Sequence, residues 1–131
     1  MEIRHFGKLQ RLSMFQAKMR WCAVTDEAFF FSKDEGKIRD IQMMSEWLKS
    51  VLARSTLKEE NMKIKGVTII PLQYVTRVKQ QDKHSRKFKI MTRKAALGIS
   101  SISFKASSKD DAAMWVKAFT IALEGNLMLK Q

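Results

Sequence analysis

Short apolar runs, each closed by a polar turn, dominate this chain, and that punctuation favours an antiparallel sheet of consecutive hairpins over alternating strand–helix units. Residues 5–12, "HFGKLQRL", alternate imperfectly and read as a first strand, which "SMFQAK" breaks. "MRWCAV" reads as a second strand, "TDE" as a tight turn and "AFFFS" as a third strand. "KDEGKIR" then ends this meander with charge and Gly36. Beyond Gly66, "VTIIPL", "YVTRVKQ", "RKFKIMTR" and "ISSISFKAS" supply four more candidates, for a total of seven. Pro71 has no N–H to give a ladder, so it belongs at a strand end or edge.

Two stretches change period. In residues 40–54, "DIQMMSEWLKSVLAR", Ile41, Met44, Leu48, Val51 and Leu52 recur at helical spacing beside Trp47, with Asp40 as the expected N-cap. This helix sits inside a polar insert, residues 34–66. Its stripe, with Met44, Trp47 and Leu48 as contact residues, either packs on the sheet edge or meets a membrane or a partner protein. The second stretch, "SSKDDAAMWVKAFTIALEGN", is a clean amphipathic helix. Ser108 caps it, Asp110 and Asp111 suit its positive end, and Gly125 is expected to stop it. Ala112, Trp115, Ala118, Phe119, Ala122 and Leu123 form the apolar face.

The chain of 131 residues fits one domain, 1–131, with an apolar fraction of 45%, enough for a core. Its single cysteine, Cys22, fits a reducing compartment and reads as a small core residue. No apolar run approaches the roughly 18 residues that span a bilayer, and the N-terminus has no secretory pattern. Glu2 stands where myristoylation needs glycine, so a lipid anchor would have to lie upstream of these residues. Charge is the most unusual feature: 25 Lys and Arg oppose 13 Asp and Glu, a formal +12. Such a field attracts polyanions, whether membrane, nucleic acid or acidic protein. No Walker loop, GxGxxG, HExxH, Gly-x-Ser-x-Gly or zinc-spaced Cys/His cluster is present, so neither an enzyme, a cofactor nor a metal is expected. No aromatic pair on adjacent strands marks an RNA-stacking platform, so specific nucleic-acid binding is not expected either.

Seven antiparallel strands followed by one helix with a buried tryptophan resemble the pleckstrin homology (PH) family. "FGKLQRL" looks like that family's first strand, "KMRWCAV" its second and "EAFFFSKD" its third. "FKIMT" and "ISFKASSKDDAAMWVKAF" look like its sixth and seventh strands and its helix, with Trp115 as the family tryptophan. The match covers residues 4–124 and departs from the pattern in the long insert between the third and fourth strands. The resemblance implies a mainly β (α+β) fold: a seven-stranded bent antiparallel β-sandwich, or partly open barrel, capped by the C-terminal helix.

The resemblance also implies a site at the open end, ringed by the loops after strands one, three and six. Phosphoinositide-binding members carry a basic residue late in strand one and basic-x-Arg entering strand two, which here fall on Arg11, Lys18 and Arg20. Residues i and i+2 share a strand face, so Lys18 and Arg20 project together. The sequence shows no carboxylate among these three, and a phosphate would offset their repulsion through charge-assisted bonds. Lys33, Lys37 and Arg39 on the third loop, and Arg93 and Lys94 on the sixth, extend the basic set. Met14 and Phe15 at the first loop's tip either enter lipid or fold back on the core, and Leu97 is a further membrane-inserting candidate. A second basic run, Lys79, Lys83, Arg86, Lys87 and Lys89, reads as a solvated hairpin toward the closed end.

The function expected from these features is membrane recruitment through phosphatidic acid or a phosphoinositide at the cytosolic leaflet. A looser likeness to the acylated PH proteins adds regulated secretion. The alternative is a protein-interaction scaffold that uses the inserted helix.

Overall fold

The computed structural model describes residues 3–43, 63–64, 66–93 and 101–129. Eight strands form one sheet: β1 (Ile3–Leu12), β2 (Ala17–Thr25), β3 (Ala28–Ser32), β4 (Lys63–Ile64), β5 (Val67–Pro71), β6 (Val75–Gln80), β7 (Lys87–Thr92) and β8 (Ser101–Lys105). Helix α1 (Glu35–Met43) follows β3, a 3-10 turn (Leu72–Tyr74) follows β5, and helix α2 (Lys109–Leu129) closes the described chain. The sheet order is β4-β5-β3-β2-β1-β8-β7-β6, antiparallel throughout and not closed into a barrel. The seven expected strands are all present. The two-residue β4 adds a short edge that pairs Lys63 with Thr68 and Ile64 with Val67.

Local chemistry fixes the turns. The Thr25 hydroxyl accepts from the backbone N–H groups of Glu27 and Ala28 and donates to the Ala28 carbonyl, which folds "TDE" back on itself. Between β1 and β2, Ser13 N–H and its hydroxyl both donate to the Gln16 carbonyl, at 2.8 and 3.1 Å. So tight a turn leaves Met14 and Phe15 at its apex, beyond reach of any core.

Both faces of the first half of the sheet are covered, which explains three consecutive buried phenylalanines. Phe29 and Phe31 enter the main core with Leu9, Phe88, Phe104 and Trp115. Phe30 faces the other way, onto a second cluster with Ala23, Val67, Ile69 and Ile38 of α1. The insert's helix therefore packs, through Ile38, on the outer face of the sheet. Its start differs from the expected one, since α1 begins at Glu35 and Asp40 lies within it. Asp34, whose carboxylate accepts the Gly36 N–H at 2.9 Å, opens the helix, and burial of Ile38 at 2% exposure holds its first turns. "KDEGKIR" is thus mostly helix rather than loop. Met44, Trp47 and Leu48 lie outside the described residues.

Helix α2 is capped as expected: the Ser108 hydroxyl accepts the Asp111 N–H at 3.0 Å. It does not stop at Gly125 but runs on to Leu129. The reason lies across the core, where a Cβ at Gly125 would approach the Asp26 carboxylate at 3.4 Å and Asn126 donates to the Asp26 carbonyl. A side chain there would make only ordinary contact with Asp26, so it is the tie from Asn126 to the β2–β3 turn that accompanies the helix past Gly125. Cys22 is fully buried, and desolvation pushes its thiol pKa up.

Candidate functional site

The β1–β2 ladder carries the inner face of the sheet out from the core to its rim. Leu9, fully buried, pairs with Arg20, and Arg11 pairs with Lys18. Because alternate residues share a face, Leu9 and Cys22 point into the core while Arg11, Lys18 and Arg20 continue the same row beyond it. Apolar residues end where the cations begin.

There a cavity of about 320 Å³ opens. Phe31 forms its floor, with the Arg11 guanidinium 5.2 Å from that ring. Arg11 and Arg20 stand on one wall, Gly66 and Thr68 of β5 on another, and Lys33, Asp34 and Lys37 form the rim. The Ser32 hydroxyl organises this rim: it donates to the Gly66 carbonyl at 3.0 Å and accepts the Asp34 N–H at 3.2 Å. That pins the β3–α1 junction to β5 and sets α1's first turn, with Lys37, over the opening.

The structure brings together Arg11, Arg20, Lys33 and Lys37 from the expected basic set. Lys18, opposite Arg11, is exposed and does not line the cavity. Arg39 does not line it either, since its guanidinium is drawn along the helix to Glu35 at 2.6 Å. Arg93 directly follows β7, is exposed, and does not line the cavity. Lys94 and Leu97 lie outside the described residues. Among the described residues, Lys18, Arg20, Lys33 and Lys37 form no ion pair. The expectation of a site without acid needs one correction, because Asp34 lines the rim. Its Oδ1 is engaged by the Gly36 N–H, so the carboxylate serves the helix start. Sequence reasoning did not connect Gly66 and Thr68 with the site. Only the insert's return to the sheet places them there, although a glycine at a strand entry was the one available sign.

Gly66 is a position that favours glycine. Its φ is +82°, and a Cβ there would lie 2.6 Å from Lys37 Nζ. Gly66→Ala is expected to cost about 1–3 kcal/mol through left-handed strain, measurable as a lower urea midpoint, and to displace Lys37 from the rim.

At the apex above this end, Met14 is 88% and Phe15 90% exposed. They do not fold back on the core. No group of three metal-ligating side chains occurs among the described residues, and no helix among them is long and apolar enough to cross a membrane.

The sequence profile described as "PH domain" matches residues 3–124. The chain belongs to the PH domain family. Among solved structures, the N-terminal PH domain of human ARAP2 is similar at 19% identity and a TM-score of 0.57, over 92% of this chain and 78% of that one. The DH/PH domain of human ARHGEF11, solved with human RhoA and an inhibitor, matches at 11% identity and a TM-score of 0.60. That match covers 94% of this chain but only 29% of the other. No curated protein sequence matches the chain. PH domains commonly mediate lipid or protein interactions and are generally non-catalytic.

Proposed function

We propose that this PH domain is a non-catalytic membrane-recruitment module that reads an anionic phospholipid head group, phosphatidate or a phosphoinositide, on the cytosolic leaflet. One observation carries this reading: among the described residues, four cations, Arg11, Arg20, Lys33 and Lys37, share a cavity whose rim holds one carboxylate, already engaged by a helix N–H. A phosphomonoester, with more charge than a diester, gains most from such a cluster. Lys18 adds field at the cavity's edge, and the exposed Met14 and Phe15 suit insertion among acyl chains beside it. A phosphate held close to the acyl region fits phosphatidate in particular, and the looser likeness to the acylated PH proteins adds a role in regulated secretion.

The test is a vesicle panel at matched net charge, comparing phosphatidate, phosphoinositides and phosphatidylserine. The expected result is binding about tenfold or more tighter, about 1.4 kcal/mol, for at least one monoester lipid over phosphatidylserine. Equal binding to all of them would reduce the site to general electrostatics.

The structural neighbours support a second reading, as three of them were solved as DH/PH fragments or domains in complex with RhoA. A PH-like protein-interaction scaffold would use the insert, with Met44, Trp47 and Leu48. Saturable protein binding that ignores vesicle composition would favour it.

A further inference from the structure

The outer face of β6, β7 and β8 is a second basic surface, separate from the mouth. Lys79 of β6 stands directly opposite Lys89 of β7, and Lys87 of β7 directly opposite Lys105 of β8. Like charges directly opposed across strands destabilise a sheet, yet here two such pairs are adjacent. Arg77 adds a fifth cation. None of the five forms an ion pair among the described residues. Four of them, all but Lys105, line a groove of about 800 Å³ whose apolar wall includes Leu12, Met14 and Met91, and among the described residues no carboxylate lines it.

The arrangement of these charges identifies the class of ligand. At the mouth, cations from several elements converge on one small cavity, as a single head group requires. Here they run in parallel rows, Arg77 and Lys79 on one strand, Lys87 and Lys89 on the next, each pair two residues apart. Two residues of strand span about 6.8 Å, the distance between alternate side chains of any other extended chain. An extended peptide with an acid at every second position therefore meets each row in register. The residues between its acids project to the opposite side of the extended chain, away from the lysines, while Met91, next along the Lys87–Lys89 row, adds an apolar contact beneath the peptide.

We propose that this face docks an extended acidic segment of a partner protein, with acidic side chains at alternate positions, through cations distinct from those of the mouth and sharing only Met14 with the lipid reading. The probe is a fluorescein-labelled peptide with glutamate at alternate positions, set against a peptide of identical composition with its glutamates in one block. Binding to the full chain is followed by anisotropy at about 0.15 M salt, where long-range charge effects are screened beyond about 8 Å. The alternating peptide should bind about tenfold tighter than the blocked one. Lys79→Glu with Lys89→Glu should lower its affinity by at least about tenfold, while Arg20→Glu at the mouth changes it less than about twofold. All three substituted residues are on the surface or half-buried, and circular dichroism confirms that each variant folds. Equal affinity for the two peptides would overturn the proposal, as would unchanged binding by the double variant. Loss of vesicle binding in that variant, with no peptide binding by the parent, would mark the face as a membrane surface instead.

Discussion

Trp115→Ala is expected to lower the unfolding free energy by about 3–5 kcal/mol, at the upper end for truncation of a single buried side chain. Trp115 is fully buried and touches three separate parts of the sheet. Its ring meets His5 of β1 edge-on at 4.4 Å, lies perpendicular to Phe29 of β3 at 6.3 Å, and stacks on Phe88 of β7 at 6.4 Å. Truncation opens a void that neighbours drawn from both halves of the sheet cannot fill together. With typical domain stabilities of about 5–15 kcal/mol, the loss leaves the variant partly unfolded or close to it. Urea unfolding followed by circular dichroism measures it. Trp115→Phe provides the contrast. Among the described residues the buried indole Nε1–H meets no hydrogen-bond acceptor, and such an orphan costs about 1–3 kcal/mol. Phenylalanine removes the orphan while keeping one ring in place, so its net cost should stay below about 2 kcal/mol. If alanine and phenylalanine cost the same, the ring's packing is not what holds the halves together.

The second large effect concerns binding. Each basic residue near an anionic surface contributes about 1 kcal/mol, so a charge reversal removes that and adds comparable repulsion. Arg20→Glu with Lys37→Glu should therefore weaken vesicle binding by about 4 kcal/mol, roughly a thousandfold. Both side chains line the cavity and neither forms an ion pair among the described residues, so the fold loses little. Lys83→Glu, on the exposed β6–β7 turn, makes a single reversal outside the cavity and should cost only a few-fold. Co-sedimentation with phosphatidate vesicles compares these variants, with Arg20→Glu alone as the matched single reversal. Equal losses for Lys83→Glu and Arg20→Glu would mean that net charge, not the cavity, drives the association.

Helix α1 shows where the sequence misled and why. The stripe Ile41, Met44 and Leu48 pointed to a start at Asp40, because period alone weighs apolar residues and "KDEG" has none. The actual start depends on Asp34 receiving an N–H and on Ile38 finding Phe30, Val67 and Ile69 across the sheet. Gly125 misled in the same manner: a glycine near a helix end ordinarily stops it, but this one sits against Asp26, whose carbonyl accepts from Asn126 one hundred residues further along the chain. At the site, the row Arg11, Lys18 and Arg20 was legible because strand alternation is a local rule. The withdrawal of Arg39 toward Glu35 was not, since helical spacing became relevant only once the helix began at Glu35.

What the sequence by itself determined was local: strands from alternation and turns, the capped C-terminal helix, the buried tryptophan, and the cations where β1 and β2 leave the core. Each follows from interactions within a few residues, or from burial that an apolar pattern announces. Only the tertiary structure decided which cations share a cavity, that Asp34 stands among them, that Gly66 makes room for Lys37, and that lysines on three strands oppose one another across the outer face. Those relations join residues brought together by sheet register and by the return of the insert. Register and chain return are set by the sum of the packing, and no single segment of sequence contains that sum.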